Sequence, residues 1–185
     1  RTIGVDTVRY VEYLPERATS DDPQDYWTVD CGISYDGSPA TTFSGGEFLA
    51  GESCTGLADG LVIPTFTMPA DGNFTLATAA SKVMVGLAFT PQLKTLQIDL
   101  GDPTIQGEMK VIPSATVRVA DTLGLSIGST FSTLVDMKDL VVGNVGSATP
   151  EVVTGLVTGD AMTVIDARYT VPGQYCIQQS NPFPA

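Results

Sequence analysis

The chain has 185 residues, with nine Lys and Arg against 21 Asp and Glu, no histidine, and a formal net charge of −12. At 43% hydrophobic and 16% charged it is apolar enough to bury a core, which argues against intrinsic disorder. Without histidine there is no Ser-His-Asp or Cys-His nucleophile pair, no His-ligated zinc and no imidazole pH switch, and the acidity disfavours a reader that grips nucleic acid by neutralising its phosphates.

The chain opens with Arg1 to Ile3, read as the end of a strand turned by Gly4 to Asp6 into a second one, Thr7 to Leu14 (TVRYVEYL). β-Branched and aromatic residues dominate that stretch, which favours strand over helix. A hairpin at the very start and no initial methionine lead to the expectation that the sequence is a piece of a longer polypeptide. Pro15 to Asp25 (PERATSDDPQD) turns polar and acidic and reads as an exposed linker. Asp21, Asp22 and Asp25 lie here, but without the alternating oxygen ligands and fixed glycine of an EF-hand they read as a solvated charge run.

Short strands punctuated by turns follow. They are Tyr26 to Tyr35, a turn at Asp36-Gly37-Ser38-Pro39, Thr41 to Phe43, a Ser44-Gly45-Gly46 turn, Gly51 to Leu57, a turn at Ala58-Asp59-Gly60, Leu61 to Met68, a turn at Asp71-Gly72-Asn73, and Phe74 to Ala77. Three of these turns contain Asp-Gly, where positive φ costs little. The second half offers Lys82 to Phe89, Leu93 to Leu100, Glu108 to Pro113, Ala115 to Ala120, Thr133 to Leu140, Ala161 to Ile165 and Gln174 to Gln179, with a short helix over Phe131 to Leu140 as the competing assignment. Gly143 to Pro150 reads as an exposed loop, and Thr158-Gly159-Asp160 as a turn before a strand.

The expected fold is therefore all-β, with antiparallel sandwich or barrel-like sheets in two small subdomains and little helix. Residues 1–25 would hold terminal strands and the acidic linker, 26–80 one small barrel or sandwich, and 81–185 a larger antiparallel subdomain. No run reaches the roughly 18 apolar residues of a membrane span, and the N-terminus lacks a signal-peptide layout, so no membrane partner and no secretion by that route are expected.

Candidate chemistry is sparse. Cys31, Cys54 and Cys176 are odd in number and widely spaced, which reads as three small hydrophobes rather than a disulfide framework or metal cluster. Ser44-Gly45-Gly46-Glu47 lacks the lysine and helix of a phosphate-binding loop. Asp30, Asp36, Asp59, Asp99, Asp121 and Asp160 all lie beside strands, and a pair of them is the one acid/base constellation the composition leaves, as in glycoside hydrolysis. Most abut Gly or Ser, as turn residues do. Trp27 reads as a core anchor of its strand rather than a sugar-stacking platform. No catalytic, cofactor-binding or metal residue is assigned, and no enzyme activity or cofactor is expected.

Four longer strings carry a family resemblance: LADGLVIPTFTM (Leu57 to Met68), SKVMVGLAFTPQLKTLQIDL (Ser81 to Leu100), ATVRVADTLGLSIGS (Ala115 to Ser129) and VTGDAMTVIDARYTVPGQYCIQQSNPFPA (Val157 to Ala185). In order along the chain, they resemble the C-terminal region of the tail nozzle proteins of short-tailed bacteriophages, also called tail tubular protein B. The start, RTI then TVRYVEYL, is similar to the last strands of the β-propeller that precedes this region in that family. The chain departs from the family in lacking the propeller and in ending at NPFPA, where similar sequences run on, so an open sheet edge is expected at one or both ends.

The resemblance implies a virion structural protein made in the host cytoplasm and residing in the tail. It implies a hexameric ring in contact with tail adaptor and fibre or spike proteins, with DNA passing through the lumen without specific binding. The family brings no catalytic residues. Asp21, Asp22 and Asp25 then become candidates for an acidic loop facing the lumen or a neighbouring subunit, where carboxylates discourage tight phosphate contacts. The alternative expectation is a carbohydrate-binding or carbohydrate-cleaving receptor-recognition module of a tail adhesin.

Overall fold

The structure is a computed structural model of the chain and describes residues 2–3, 6–7, 9, 11, 16, 20–137, 140, 156–165 and 169–184. It is all-β and antiparallel, and it divides into two compact units. The first comprises the described residues up to Phe89 together with Pro184, the second those from Thr90 to Phe183.

In the first unit, β1 (Thr2–Ile3) and β2 (Asp6–Thr7) form the expected hairpin, Thr2 opposite Thr7 and Ile3 opposite Asp6. Most of the strand expected to continue to Leu14 lies outside the described residues, and the described Arg9 and Val11 are exposed without regular structure. Four further strands make one sheet: β3 (Asp30–Phe43), β4 (Ser53–Ala58), β5 (Leu61–Thr67) and β6 (Phe74–Leu87), in the order β3-β6-β4-β5. β6 explains the layering. Phe74 and Leu76 are buried between exposed Thr75 and Ala77, so one face there is solvated, whereas Val83 to Gly86 is buried continuously, as in a strand covered on both faces.

Two expected breaks are absent. Asp36 to Pro39 is no hairpin turn, and Gly37 is not among the glycines with positive φ. The strands expected over Tyr26 to Tyr35 and Thr41 to Phe43 instead merge into a single strand, which begins only at Asp30. The polar, Gly- and Pro-bearing stretch is absorbed as a bulge: the five residues from Asp36 to Ala40 span what three span from Lys82 to Ala80, and the Tyr35 hydroxyl donates to the Ser38 carbonyl at 2.7 Å. Likewise β6 runs unbroken through the small residues Thr78 to Ser81, so the boundary expected at 80/81 falls within a strand and the units divide at Phe89 and Thr90. The other two Asp-Gly turns are as expected, with φ of +79° at Gly60 and +67° at Gly72.

The core of this unit gathers Leu49, Cys54, Ile63, Met68 and Val85 around a chain of rings. Tyr35 meets Phe43 edge-on at 5.2 Å, Phe43 stacks on Phe74 at 5.3 Å, and Phe66 lies 5.5 Å from Phe74. Such pairs add about 0.5–1.5 kcal/mol each beyond burial. At Gly56, opposite Val85, β4 approaches β6 so closely that a Cβ would collide with the Met84 carbonyl.

The second unit holds β7 (Gln92–Lys94), β8 (Ser114–Thr122), β9 (Leu125–Gly128), β10 (Leu134–Asp136), β11 (Val157–Val164) and β12 (Cys176–Gln179). A small sheet has the order β10-β9-β12-β7, and β8 pairs with β11 as a two-stranded ribbon. Val119, Ile127, Met137, Leu140, Ala161 and Ile165 form the core. Within Phe131 to Leu140, β10 makes strand of Leu134–Asp136, the middle of the stretch. β9, fully buried, is a strand that the sequence does not announce, because LSIG follows Gly124, itself ends on a glycine and is only four residues long.

Thr158 to Asp160 is not a turn but part of β11. The register slips there because β8 carries the extra residue, Asp121 adopts φ +50°, and the Thr158 hydroxyl both receives the Asp121 N–H (2.9 Å) and donates to its carboxylate (3.0 Å). Of the strands expected over Leu93 to Leu100 and Glu108 to Pro113, only Gln92–Lys94 and a single bridge between Lys110 and Thr170 pair. Gly143 to Pro150 lies outside the described residues. Cys31 is half-buried, Cys54 and Cys176 are buried, and none of the three is joined in a disulfide. Among the described residues no helix is long and apolar enough to cross a membrane.

Candidate functional site

The acidic run is an ordered loop fastened to the sheet. Asp22, extended at φ −96° and ψ 117°, caps the 3₁₀ turn Pro23–Asp25, its carboxylate accepting the Gln24 N–H at 2.9 Å. Pro23, with no N–H to satisfy, fits the first position of that turn. The Ser20 hydroxyl accepts the Asp22 N–H at 3.1 Å, and the buried Tyr26 donates its hydroxyl to the Ser20 carbonyl at 3.0 Å.

Two longer-range contacts then hold the loop against the β4–β5 turn and β6. The Gln24 side-chain carbonyl accepts the Gly60 N–H at 2.6 Å. Asp25 pairs with the Lys82 ammonium at 2.9 Å. Asp59 accepts the Ser81 and Lys82 N–H groups at 3.1 and 2.8 Å, so the turn itself is tied to β6.

Lys82 is the electrostatic centre of this arrangement. From Ser20 to Phe89 there are nine acidic residues and one basic one, Lys82, a net of −8. The Lys82 hydrogen bond, supported by Ser20, holds the Asp25 carboxyl below the usual carboxylate range. Asp25 in turn raises the lysine, with further help from the charges of Asp36 and Asp22. Asp36 stands directly opposite Lys82 in the sheet register. One cation thus organises a surface that stays strongly negative. Its chemical capacity is to repel phosphates and other polyanions while holding a fixed shape. Asp21 is exposed beside it. Among the described residues no group of three His, Cys, Asp or Glu is placed to hold a metal ion.

The aspartates considered as acid/base candidates have other occupations. Asp59 receives backbone N–H groups, as above. Asp160 makes a two-pronged pair with Arg118 at 2.7 and 2.9 Å, which lowers its pKa. Asp99 accepts the N–H groups of Ile105 (3.0 Å) and Gly101 (3.3 Å), the Thr104 hydroxyl (3.1 Å) and the Gln106 amide (2.9 Å). Chiefly through the Ile105 bond, its pKa falls to about 2. A general acid needs a shift in the opposite direction. Asp121 belongs to the β8 bulge, and Asp30 and Asp36 are exposed on β3.

Trp27 is not the core anchor expected of it. It is 38% exposed, while its neighbour Tyr26 is 6% exposed and fills that role. Ser44 to Gly46 link β3 to a short 3₁₀ turn, Glu47–Leu49, with Gly45 at φ +99°.

Two features have no counterpart among the residues singled out from sequence. One is a pocket of about 150 Å³ at the β3 edge, lined by aromatic and aliphatic side chains, Tyr35, Phe43 and Phe74 among them, and by the polar Ser34, Thr42 and Ser44. The other is the exposed stretch after Thr90, in which Leu96, Ile98 and Leu100 all face solvent. The alternation of those three was visible, but it signalled a strand. No model of a known protein family matches the chain, and no curated protein does either.

Proposed function

We propose that the chain is a β-rich part of the tail nozzle of a short-tailed bacteriophage, a virion structural protein that acts through assembly and shape while DNA passes without being held. The observation that carries this reading is the ordered series of four sequence strings, which together cover most of the chain from Leu57 onward. The all-β architecture is compatible with it. The acidic loop of Asp21, Asp22 and Asp25 adds support, because a wall facing moving DNA must be negative and firm, and this loop is both.

The test is to locate and count the protein in purified virions by mass spectrometry and antibody labelling. Six copies at the tail tip support the nozzle. Absence from virions, or threefold spikes that bind host glycans, would overturn it in favour of a receptor-binding module.

A further inference from the structure

Asp-Gly occurs three times in the first unit, at Asp36, Asp59 and Asp71. The dipeptide has a chemistry of its own. The aspartyl side-chain carbon is an electrophile, the next backbone nitrogen is a nucleophile within reach of it, and glycine has no Cβ to obstruct their approach. The reaction needs both partners loose.

At two of the three sites both are tied. The Asp59 carboxylate accepts the Ser81 and Lys82 N–H groups at 3.1 and 2.8 Å, while the Gly60 N–H donates to Gln24 at 2.6 Å. The Asp71 carboxylate accepts the Asn73 backbone N–H at 3.2 Å and its side-chain amide at 3.0 Å, while the Gly72 N–H donates to the Pro69 carbonyl at 3.0 Å. Ring closure at either site must wait for those bonds to open.

Asp36 differs in each respect. It and Gly37 are exposed, and its carboxylate makes no hydrogen bond or ion pair among the described residues. Lys82, opposite it in the register, is engaged by Asp25 at 2.9 Å. The ladder passes over Gly37, because the next residue in register after Asp36 is Ala40, opposite Ala80. β3 is also the outermost strand of its sheet, so among the described residues no strand covers its other edge. The bond from the Tyr35 hydroxyl to the Ser38 carbonyl spans the dipeptide without engaging either reacting atom.

We propose that Asp36-Gly37 is a self-modification site, at which the folded chain isomerises to isoaspartate. The Gly37 nitrogen attacks the side-chain carbon of the protonated Asp36 carboxyl and forms the new C–N bond. The amide proton and the carboxyl hydroxyl leave as water, closing a cyclic imide. Water then adds to one of the two imide carbonyls. Opening at the side-chain carbonyl restores aspartate, whereas opening at the main-chain carbonyl leaves the backbone running through the side-chain carbon, with a free carboxylate where the peptide carbonyl stood. Water, lost and regained, is the only co-reactant. The product lengthens β3 by one backbone carbon inside the span that the Tyr35–Ser38 bond closes. The site needs no partner and is independent of the nozzle reading.

The test incubates the 185-residue chain for several weeks in buffered water enriched in oxygen-18, then digests it with chymotrypsin in ordinary water. Cleavage after aromatic residues and leucine puts the three dipeptides in separate peptides, Asp36–Phe43, Ala58–Leu61 and Thr67–Phe74. Each imide that hydrolyses leaves a heavy oxygen in its peptide, whichever way the ring opens. Label is expected at Asp36 at least about tenfold faster than at Asp59 or Asp71, since those must first break their hydrogen bonds. In urea, which opens all three alike, the rates converge. Asp36→Glu keeps the charge but requires a larger ring, and stops the labelling of its peptide. Electron-transfer fragmentation of the labelled parent peptide shows isoaspartate.

Labelling at Asp36 no faster than at the other two in the folded chain overturns the proposal. So does a difference that persists unchanged in urea, label that survives Asp36→Glu, or a labelled peptide that holds aspartate alone.

Discussion

The sheet from Asp30 to Leu87 and the arm from Thr90 to Pro113 use the same kinds of residue to opposite ends. In β5 and β6, Val62, Ile63, Val83 and Val85 are buried, because each strand finds a partner edge and a covering layer. In the arm, Leu96, Ile98 and Leu100 repeat every second residue just as a strand would, yet no strand pairs with them among the described residues and all three are exposed. Alternation makes a strand only where an edge is free to receive it. Where the chain is instead braced by the bonds to Asp99, by Thr95 donating its N–H to the Tyr175 carbonyl and by the paired backbone bonds of Lys110 and Thr170, the same pattern becomes a surface.

The contrast predicts a graded series of effects. Gly56→Val is expected to be the most damaging change, costing about 4 kcal/mol or more of stability by urea denaturation. That exceeds the usual ~1–3 kcal/mol of overpacking because the obstacle is the Met84 backbone, which cannot rotate away. Ile127→Ala, in the centre of the smaller sheet, should cost about 3 kcal/mol through the cavity it leaves. A much smaller loss there would show that the second unit is packed more loosely than the first.

The arm tip should respond to acid rather than to core mutations. Asp99 has a folded pKa of about 2 against an ordinary 3.8, so its contribution is complete above about pH 4 and is lost as pH falls toward 2. A loss of amide-exchange protection at Gly101 and Ile105, taken relative to the intrinsic rate at each pH, is the expected sign across that window, and unchanged protection would mean the tip is held by other contacts. Asp25→Asn removes the Lys82 pair, which is exposed and screened, so the denaturation midpoint should move only slightly and less still in high salt. Smallest of all, Leu96→Ala should alter stability by no more than about 0.5 kcal/mol, since the side chain it removes is already in water. A large loss there would end the distinction between sheet and arm.

Much of the architecture was legible because it depends on local chemistry. The Asp59-Gly60 and Asp71-Gly72 turns need positive φ, and residues suited to it stand at those positions. The third Asp-Gly, at Asp36, carries the same signal and was absorbed into β3, since pairing with β6 on either side outweighs a turn preference. β9 was invisible because the three residues between Gly124 and Gly128 leave too little pattern to read. The polarity of the candidate loop was readable, but its rigidity was not: Lys82 lies 57 residues beyond Asp25, and Gly60 lies 36 beyond Gln24. Tyr26 and Trp27 show a further limit. Two adjacent aromatics on a strand-like stretch must face differently, and only the tertiary fold decides which goes inside.

The exposure of Trp27 has an optical consequence. It is the only tryptophan in the chain, and it lies in the first unit with its six-membered ring close against the backbone of Gly32. Its emission should be that of a partly hydrated indole and should report the melting of the first unit alone. Ellipticity averages the strands of both units, so recording the two signals on one sample would reveal whether the molecule unfolds in one step or two.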